Sequence, residues 1–221
     1  VTGESALRRE IIAVARALSP ADLGVNRSGN VSARFEDGLL ITPTGAPYET
    51  LEPHHIAFVS LKDGAVRGPL APSSETPFHR AIYRARTELN AIVHCHSPHA
   101  TALACTDRGI PAFHYMVAAA GGTSILCAPY ATFGSEALSD HAVAALADGR
   151  RACLLAHHGQ IACGSDLARA FELAREVEAL ARQYLLALQA GPPALLDDAE
   201  MDRVLEKFRT YGATATTVGR S

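Results

Sequence analysis

Lysine is nearly missing from this chain. Among its 20 basic residues only Lys62 and Lys207 are lysines, and neither lies in the apolar setting that turns an amine into a nucleophile. An imine-forming mechanism therefore has no candidate. Paired cysteine spacing is also missing. The five cysteines, Cys95, Cys105, Cys127, Cys153 and Cys163, are odd in number and contain no Cys-X-X-Cys, so they read as reduced, partly buried thiols. No charge of one sign dominates: 20 basic against 23 acidic residues give a net charge of −3, which leaves no footprint for DNA, RNA or an anionic membrane. No stretch approaches the ~20 apolar residues of a membrane span, and Val1 to Arg9 is polar and charged, unlike a signal segment. A soluble cytoplasmic protein with a small-molecule partner is the expectation.

With 221 residues, 48% of them hydrophobic, and no long linker, repeat or low-complexity block, the chain is expected to form one domain over 1–221. Ala6, Leu7, Ile11, Ala15 and Leu18 recur at helical spacing behind Ser5, a candidate N-cap, with Leu23-Gly24 as the stop. Val31 to Phe35 and Leu39 to Thr42 flank Glu36-Asp37-Gly38, a hairpin signal with positive φ expected at the glycine. Ile56 to Leu61 and Ala65 to Arg67 form a second strand pair. Thr76-Pro77 reads as an N-cap followed by proline at the first helical position, with Phe78, Ile82 and Tyr83 as the buried stripe. Further helices are expected over His99–Thr106, after Ser135 as cap with Leu138, Ala142, Ala145 and Leu146 on one face, over Leu167–Gln189, and over Asp198–Phe208. Ala213 to Ser221 reads as a frayed tail. The fold class is α/β, with layers of helix around a mixed central sheet.

His94 and His96 end the apolar run Ala91-Ile92-Val93, and a third histidine waits in His157-His158-Gly159. In an extended strand alternate side chains share a face, so His94 and His96 point the same way and Cys95 points away. Cys153 to Ala156 is a short apolar strand that delivers the later pair at its carboxyl end, where ligands bind in α/β folds. Three neutral imidazoles with one coordination position open is the arrangement of a catalytic zinc site. His54, His55, His79, His99 and His141 read as ordinary core or surface residues. Gly29-Asn30, Thr44-Gly45 and Ser73-Ser74 are small polar turns able to offer N–H and hydroxyl donors to a phosphate. Glu75 stands just before a helix start, where a carboxylate is favoured in any case.

Gly29-Asn30-Val31-Ser32, Thr42-Pro43-Thr44-Gly45, Ser73-Ser74-Glu75, His94-Cys95-His96, His114-Tyr115-Met116 and His157-His158-Gly159 occur in the order and spacing of a known family. The chain resembles the class II aldolase/adducin family, and Ala118 to Gly122, Cys127 to Gly134 and Lys207 to Gly212 extend the likeness over nearly its whole length. The resemblance implies a single-domain α/β/α layered fold with a mixed, largely antiparallel central sheet. It implies one zinc ion per subunit on His94, His96 and His158, with Glu75 as a ligand that leaves when substrate arrives and then serves as the base. Gly29, Asn30, Thr44, Gly45, Ser73 and Ser74 would cradle the phosphate, and Tyr115 would donate a proton from a neighbouring subunit of a homotetramer. Phe133 and Tyr211 would place the aldehyde. The His157 side chain is expected outside the ligand set.

The implied reaction is reversible aldol cleavage of a ketose 1-phosphate of the L-fuculose 1-phosphate type, giving dihydroxyacetone phosphate and an aldehyde such as L-lactaldehyde. A pentulose-phosphate 4-epimerase, or an aldolase for another deoxy-sugar phosphate, is the alternative within the same superfamily. A zinc hydrolase would leave the phosphate-type turns without a purpose, and the structural adducin head lacks the histidine set present here. The chain departs from the family in one place: Asn26-Arg27-Ser28 precedes Gly29 where a Gly-Thr-small segment is usual, in a loop shorter by about two residues. Either Arg27 takes over a phosphate contact or the preferred substrate differs.

Overall fold

The computed structural model describes residues 3–24 and 28–210. Helix α1 (Glu4–Ala17) is followed by strands β1 (Asn30–Phe35), β2 (Gly38–Ile41), β3 (Ala57–Ser60) and β4 (Val66–Arg67). Then come α2 (Thr76–Ala85), β5 (Ala91–Cys95), α3 (Pro98–Ala104), a 3-10 segment Tyr115–Ala120, β6 (Cys127–Ala128) and α4 (Glu136–Ala145). Strands β7 (Ala152–Leu155) and β8 (Gly159–Gly164) lead to the long α5 (Leu167–Ala190) and to α6 (Asp198–Thr210).

The eight strands form one sheet in the order β4-β3-β2-β1-β5-β8-β7-β6. Every neighbouring pair is antiparallel except β6 with β7, so the sheet is mixed and largely antiparallel as expected. Its strands alternate between two apolar layers, because successive side chains point to opposite faces. On one face Val31, Val93, Cys95 and Ala162 pack under α1, α3, α5 and α6 with Ile11, Leu103, Val177 and Met201. On the other, Leu39, Ile41, Val59, Ile92 and Ile161 meet Phe78, Ile82 and Tyr83 of α2 and Leu138 and Ala142 of α4. Phe78, Ile82 and Tyr83 are at most 1% exposed. Each such burial contributes about 1.5–3 kcal/mol, which ties the start of α2 firmly to the sheet.

Local chemistry corrects several sequence expectations. Gly3, not Ser5, occupies the N-cap of α1, and the Ser5 hydroxyl instead accepts a hydrogen bond from Arg9. The same helix stops at Ala17, short of Leu23-Gly24. In the β1–β2 turn positive φ falls on Glu36 (49°) and not on Gly38. Gly38 is required for space, since a Cβ there would lie 2.4 Å from the Phe58 ring. Glu75, not Thr76, is the N-cap of α2, and the Thr76 hydroxyl donates to the Ser73 carbonyl. Strand β8 and the segment Tyr115–Ala120 carry no periodic signal long enough to reveal them. Arg27, Tyr211 and the tail from Ala213 lie outside the described residues.

Candidate metal centre

The register of the sheet brings the site together. Asn30 and His94 are direct partners across β1 and β5, and Cys95 pairs with Gln160 of β8. His96 follows at the end of β5, while the tight β7–β8 connection holds His157 and His158. That connection can close onto β5 only because residue 159 is glycine: a Cβ would sit 2.5 Å from the Cys95 carbonyl oxygen and 2.9 Å from His96 Cδ2. His157 takes the strain of the turn with φ of 55°. The Ser73-Ser74-Glu75 turn is fastened just beyond β2, where the Thr42 carbonyl accepts the Ser73 N–H, and the Ser73 hydroxyl accepts the Glu75 N–H.

Glu75, His94, His96 and His158 thereby converge, with one donor atom of each lying within 4.8 Å of all the others. Glu75 Oε2 is 3.0 Å from His94 Nε2, Glu75 Oε1 is 3.0 Å from His158 Nε2, and His94 Nε2 is 3.0 Å from His96 Nε2. The three imidazole rings lie with centroids 4.8 to 4.9 Å apart, each pair nearly perpendicular. Such a ring of lone pairs is repulsive unless a cation shares it. His94 Nδ1 lies 2.9 Å from the Gln160 carbonyl oxygen, so Nδ1 carries the ring hydrogen and the Nε2 lone pair points at the cluster. Glu75 Oε1 is buried and makes no well-directed hydrogen bond despite its contact with His158. Tetrahedral ligands about 2.1 Å from a metal stand about 3.4 Å apart, so this donor set fits a divalent ion.

Burial and close neighbours shift the titration of the cluster. Burial, then His94 and His158, push His96 down to about 3, which keeps it neutral and able to ligate. Burial alone would raise the Glu75 carboxyl, but His94 and His158 beside it outweigh that and hold it well below the usual carboxylate range. Where a base needs a raised value, Glu75 in this arrangement has a lowered one, the state of a ligand.

The cluster opens into a cavity of about 350 Å³. Gly29, Asn30, Thr44, Gly45, Ser73 and Ser74 line it together with Glu75, His96 and His158. Tyr48, Tyr130, Ala131, Phe133 and His157 are also in the lining, Phe133 being 66% exposed. Tyr115 is half exposed and does not line this cavity in its own chain. His157 stays out of the cluster, with Nε2 3.5 Å from Asp107 Oδ1. Two contributors escaped sequence reasoning. The Tyr48 hydroxyl donates to the Gly29 carbonyl at 2.5 Å, and burial pushes that phenol up to about 12. His79, one of five histidines set aside as ordinary, hydrogen-bonds Asn30 directly behind Glu75. No local signal marked either; each is read only from the packed structure.

Known proteins can now be set beside this geometry. The chain matches the Class II Aldolase and Adducin N-terminal domain over residues 9–185. It is 52% identical over 210 residues to the 5-methylthioribulose-1-phosphate/5-deoxyribulose-1-phosphate aldolase of Rhodospirillum rubrum, covering 95% of this chain and 94% of that protein. It is 51% identical over 207 residues to the L-fuculose phosphate aldolase of Escherichia coli K12, covering 93% and 95% of the two chains. A solved L-fuculose 1-phosphate aldolase superposes with a TM-score of 0.90 at 37% identity, over 94% of this chain and 98% of that one. Class II aldolases use a divalent metal, which agrees with the donor set. Kinship of that extent, over a sheet that gathers those donors, makes this chain a member of the class II aldolase/adducin family and an aldolase.

Proposed function

We propose that the protein catalyses reversible aldol cleavage of a ketose 1-phosphate, releasing dihydroxyacetone phosphate and a short aldehyde with a deoxygenated end. The observation that carries this reading is one cavity in which Glu75, His96 and His158 of the donor cluster lie between polar turns and exposed aromatics. The phosphate is assigned to Gly29, Asn30, Thr44, Gly45, Ser73 and Ser74, and the aldehyde to the side of Phe133. L-fuculose 1-phosphate, which yields L-lactaldehyde, is the substrate we place first. The 5-deoxyribulose and 5-methylthioribulose 1-phosphates named for the Rhodospirillum rubrum relative form the second reading, supported by its 52% identity. All three substrates give an aldehyde ending in a methyl or thiomethyl group.

His94, His96 and His158 would hold the ion, with Glu75 beside them, and we assign it as zinc because imidazole donors with one position free suit that metal. When bound, it supplies Lewis-acid polarisation of the ketose carbonyl. The chain's own residues do the rest. In synthesis the Glu75 carboxylate removes a proton from C3 of dihydroxyacetone phosphate, the electron pair left there forms the C3–C4 bond to the aldehyde, and Tyr115 of a neighbouring subunit gives its hydroxyl proton to the oxygen that becomes the C4 hydroxyl. Cleavage runs the same steps in reverse, with the proton at C3 coming from Glu75 in its protonated form and exchange with solvent resetting both groups. Once substrate parts Glu75 from His94 and His158, burial is the main influence left on its carboxyl, and burial raises it. A homotetramer with sites at subunit interfaces is what the family resemblance implies, and the exposure of Tyr115 away from its own cavity leaves it able to reach a neighbour.

The test is release of dihydroxyacetone phosphate from L-fuculose, 5-deoxyribulose and 5-methylthioribulose 1-phosphates, with and without a chelator. Chelator-sensitive release from at least one is expected. Release from none would overturn the reading, and inversion of a pentulose phosphate at C4 without release would replace it with an epimerase.

A further inference from the structure

A row of buried polar side chains runs from Glu75 into the largely apolar layer between α2 and the sheet. Asn30 Nδ2 lies 2.8 Å from Glu75 Oε2, and Asn30 Oδ1 lies 2.5 Å from His79 Nε2. His79 Nδ1 lies 2.7 Å from the Ser32 hydroxyl, which lies 2.9 Å from the Tyr83 hydroxyl. Asn30 is 3% exposed, and Ser32, His79 and Tyr83 are fully buried, so water does not complete any of these bonds. The Phe78 ring stacks on His79 and fixes its plane.

Counting donors gives the row one direction. A carboxylate only accepts, so Asn30 turns its NH2 toward Glu75 and its carbonyl oxygen toward His79. That oxygen only accepts, so His79 carries its hydrogen on Nε2. A neutral imidazole has one hydrogen, which leaves Nδ1 to accept from Ser32, and the Ser32 oxygen to accept from Tyr83. Were the His79 hydrogen on Nδ1, the Asn30 amide would have to rotate, and its carbonyl oxygen would face the Glu75 carboxylate. The tautomer of His79 and the face that Asn30 shows to Glu75 are therefore a single choice.

We propose that His79 is a positioning residue that locks the Asn30 amide so that an N–H donor, and never a carbonyl oxygen, faces Glu75 and the cavity. A base that carries negative charge and a substrate phosphate both require a donor at that point, and a buried acceptor facing either would be repulsive. The link to chemistry rests on the reading of Glu75 as base and of the cavity as the sugar-phosphate site.

The experiment compares His79→Gln with His79→Asn in the full-length, metal-loaded protein. Glutamine places an amide N–H near the Nε2 position and can still reach Asn30, whereas asparagine reaches only as far as Nδ1. Exchange of the C3 hydrogens of dihydroxyacetone phosphate with solvent, affinity for inorganic phosphate, metal content and thermal midpoint are measured on each. His79→Gln is expected to stay within about threefold of the parent, and His79→Asn to lose about tenfold or more in exchange and phosphate affinity at equal metal content and midpoint. Equal losses in both variants, or losses that follow the thermal midpoint, would overturn the proposal. Should neither variant fold, nitrogen-15 NMR of the unaltered protein decides: the His79 ring must show hydrogen on Nε2, and hydrogen on Nδ1 refutes the lock. Parent-rate exchange in Glu75→Gln would sink the base assignment instead, leaving the spectrum and phosphate affinity to judge His79.

Discussion

Asn30 and His94 reach the same oxygen of Glu75 from adjacent strands: Asn30 Nδ2 at 2.8 Å and His94 Nε2 at 3.0 Å from Oε2. The two residues are cross-strand partners, so their spacing is set by the β1–β5 ladder itself. One oxygen is thus gripped by an amide donor and by a nitrogen whose lone pair points at the donor cluster. In the proposed reaction Glu75 exchanges the second partner for substrate while keeping the first.

That division separates two substitutions. Glu75→Gln keeps the three imidazoles and is expected to retain metal while losing proton exchange at the dihydroxyacetone phosphate fragment by about 10²-fold or more. His96→Ala is expected to lose both metal and exchange. Elemental analysis combined with deuterium uptake distinguishes them, and parent-rate exchange in Glu75→Gln would refute the base assignment.

Acid stability follows from the buried histidines. Burial pushes His79 and His96 from 6.5 down to about 3, so the unfolded chain takes up their protons before the folded chain does. Their stabilising effect is full above pH 6.5 and is lost as pH falls from 6.5 toward 3. Glu75, held below its ordinary 4.5, acts in the same direction: its contribution is present above 4.5 and is lost as pH falls further. Metal-free protein should therefore show an unfolding free energy, from urea titration, that is flat above neutrality and declines from pH 6.5 downward, with a slope of at most about 1.4 kcal/mol per pH unit for each group. His79→Gln should flatten the decline.

Much of this was legible in the sequence, for reasons that differ by residue. Parity alone places His94 and His96 on one face with Cys95 opposite, and the structure puts Cys95 in the other apolar layer. Phe78, Ile82 and Tyr83 announce their helix by spacing. His79 announces nothing, because its partners Asn30 and Ser32 come from a strand more than forty positions away. Gly38 shows the same limit: local turn chemistry pointed to its φ, whereas the demand comes from Phe58 across the sheet.

Gly159 offers a sharper test of the site's packing. A methyl group there meets the Cys95 carbonyl and the His96 ring, so Gly159→Ala is expected to cost about 1–3 kcal/mol. Because the displaced atoms include a proposed ligand, metal affinity should fall by about 10-fold or more. Urea unfolding and competition with a chromophoric chelator measure the two effects, and unchanged metal affinity would show that the turn can yield without moving His96.

The proposed role of Tyr115 in a neighbour's site predicts complementation. Tyr115→Phe and Glu75→Gln homomers should each be nearly inactive. Mixed by subunit exchange, they should regain about a quarter of the parent activity, since random assembly puts an intact Glu75 beside an intact Tyr115 at that frequency. A mixture no more active than the sum of its parts would place Tyr115 outside the shared site.

The order of strands carries a consequence for biosynthesis. Three of the four donors, Glu75, His94 and His96, leave the ribosome well before His158, and β5 finds its neighbour β8 only after residue 164 has been made. Contacts so distant along the chain form late. An ion held by the proposed ligands would therefore be acquired by a nearly finished fold, since a growing polypeptide has no full set of claws with which to seize it early.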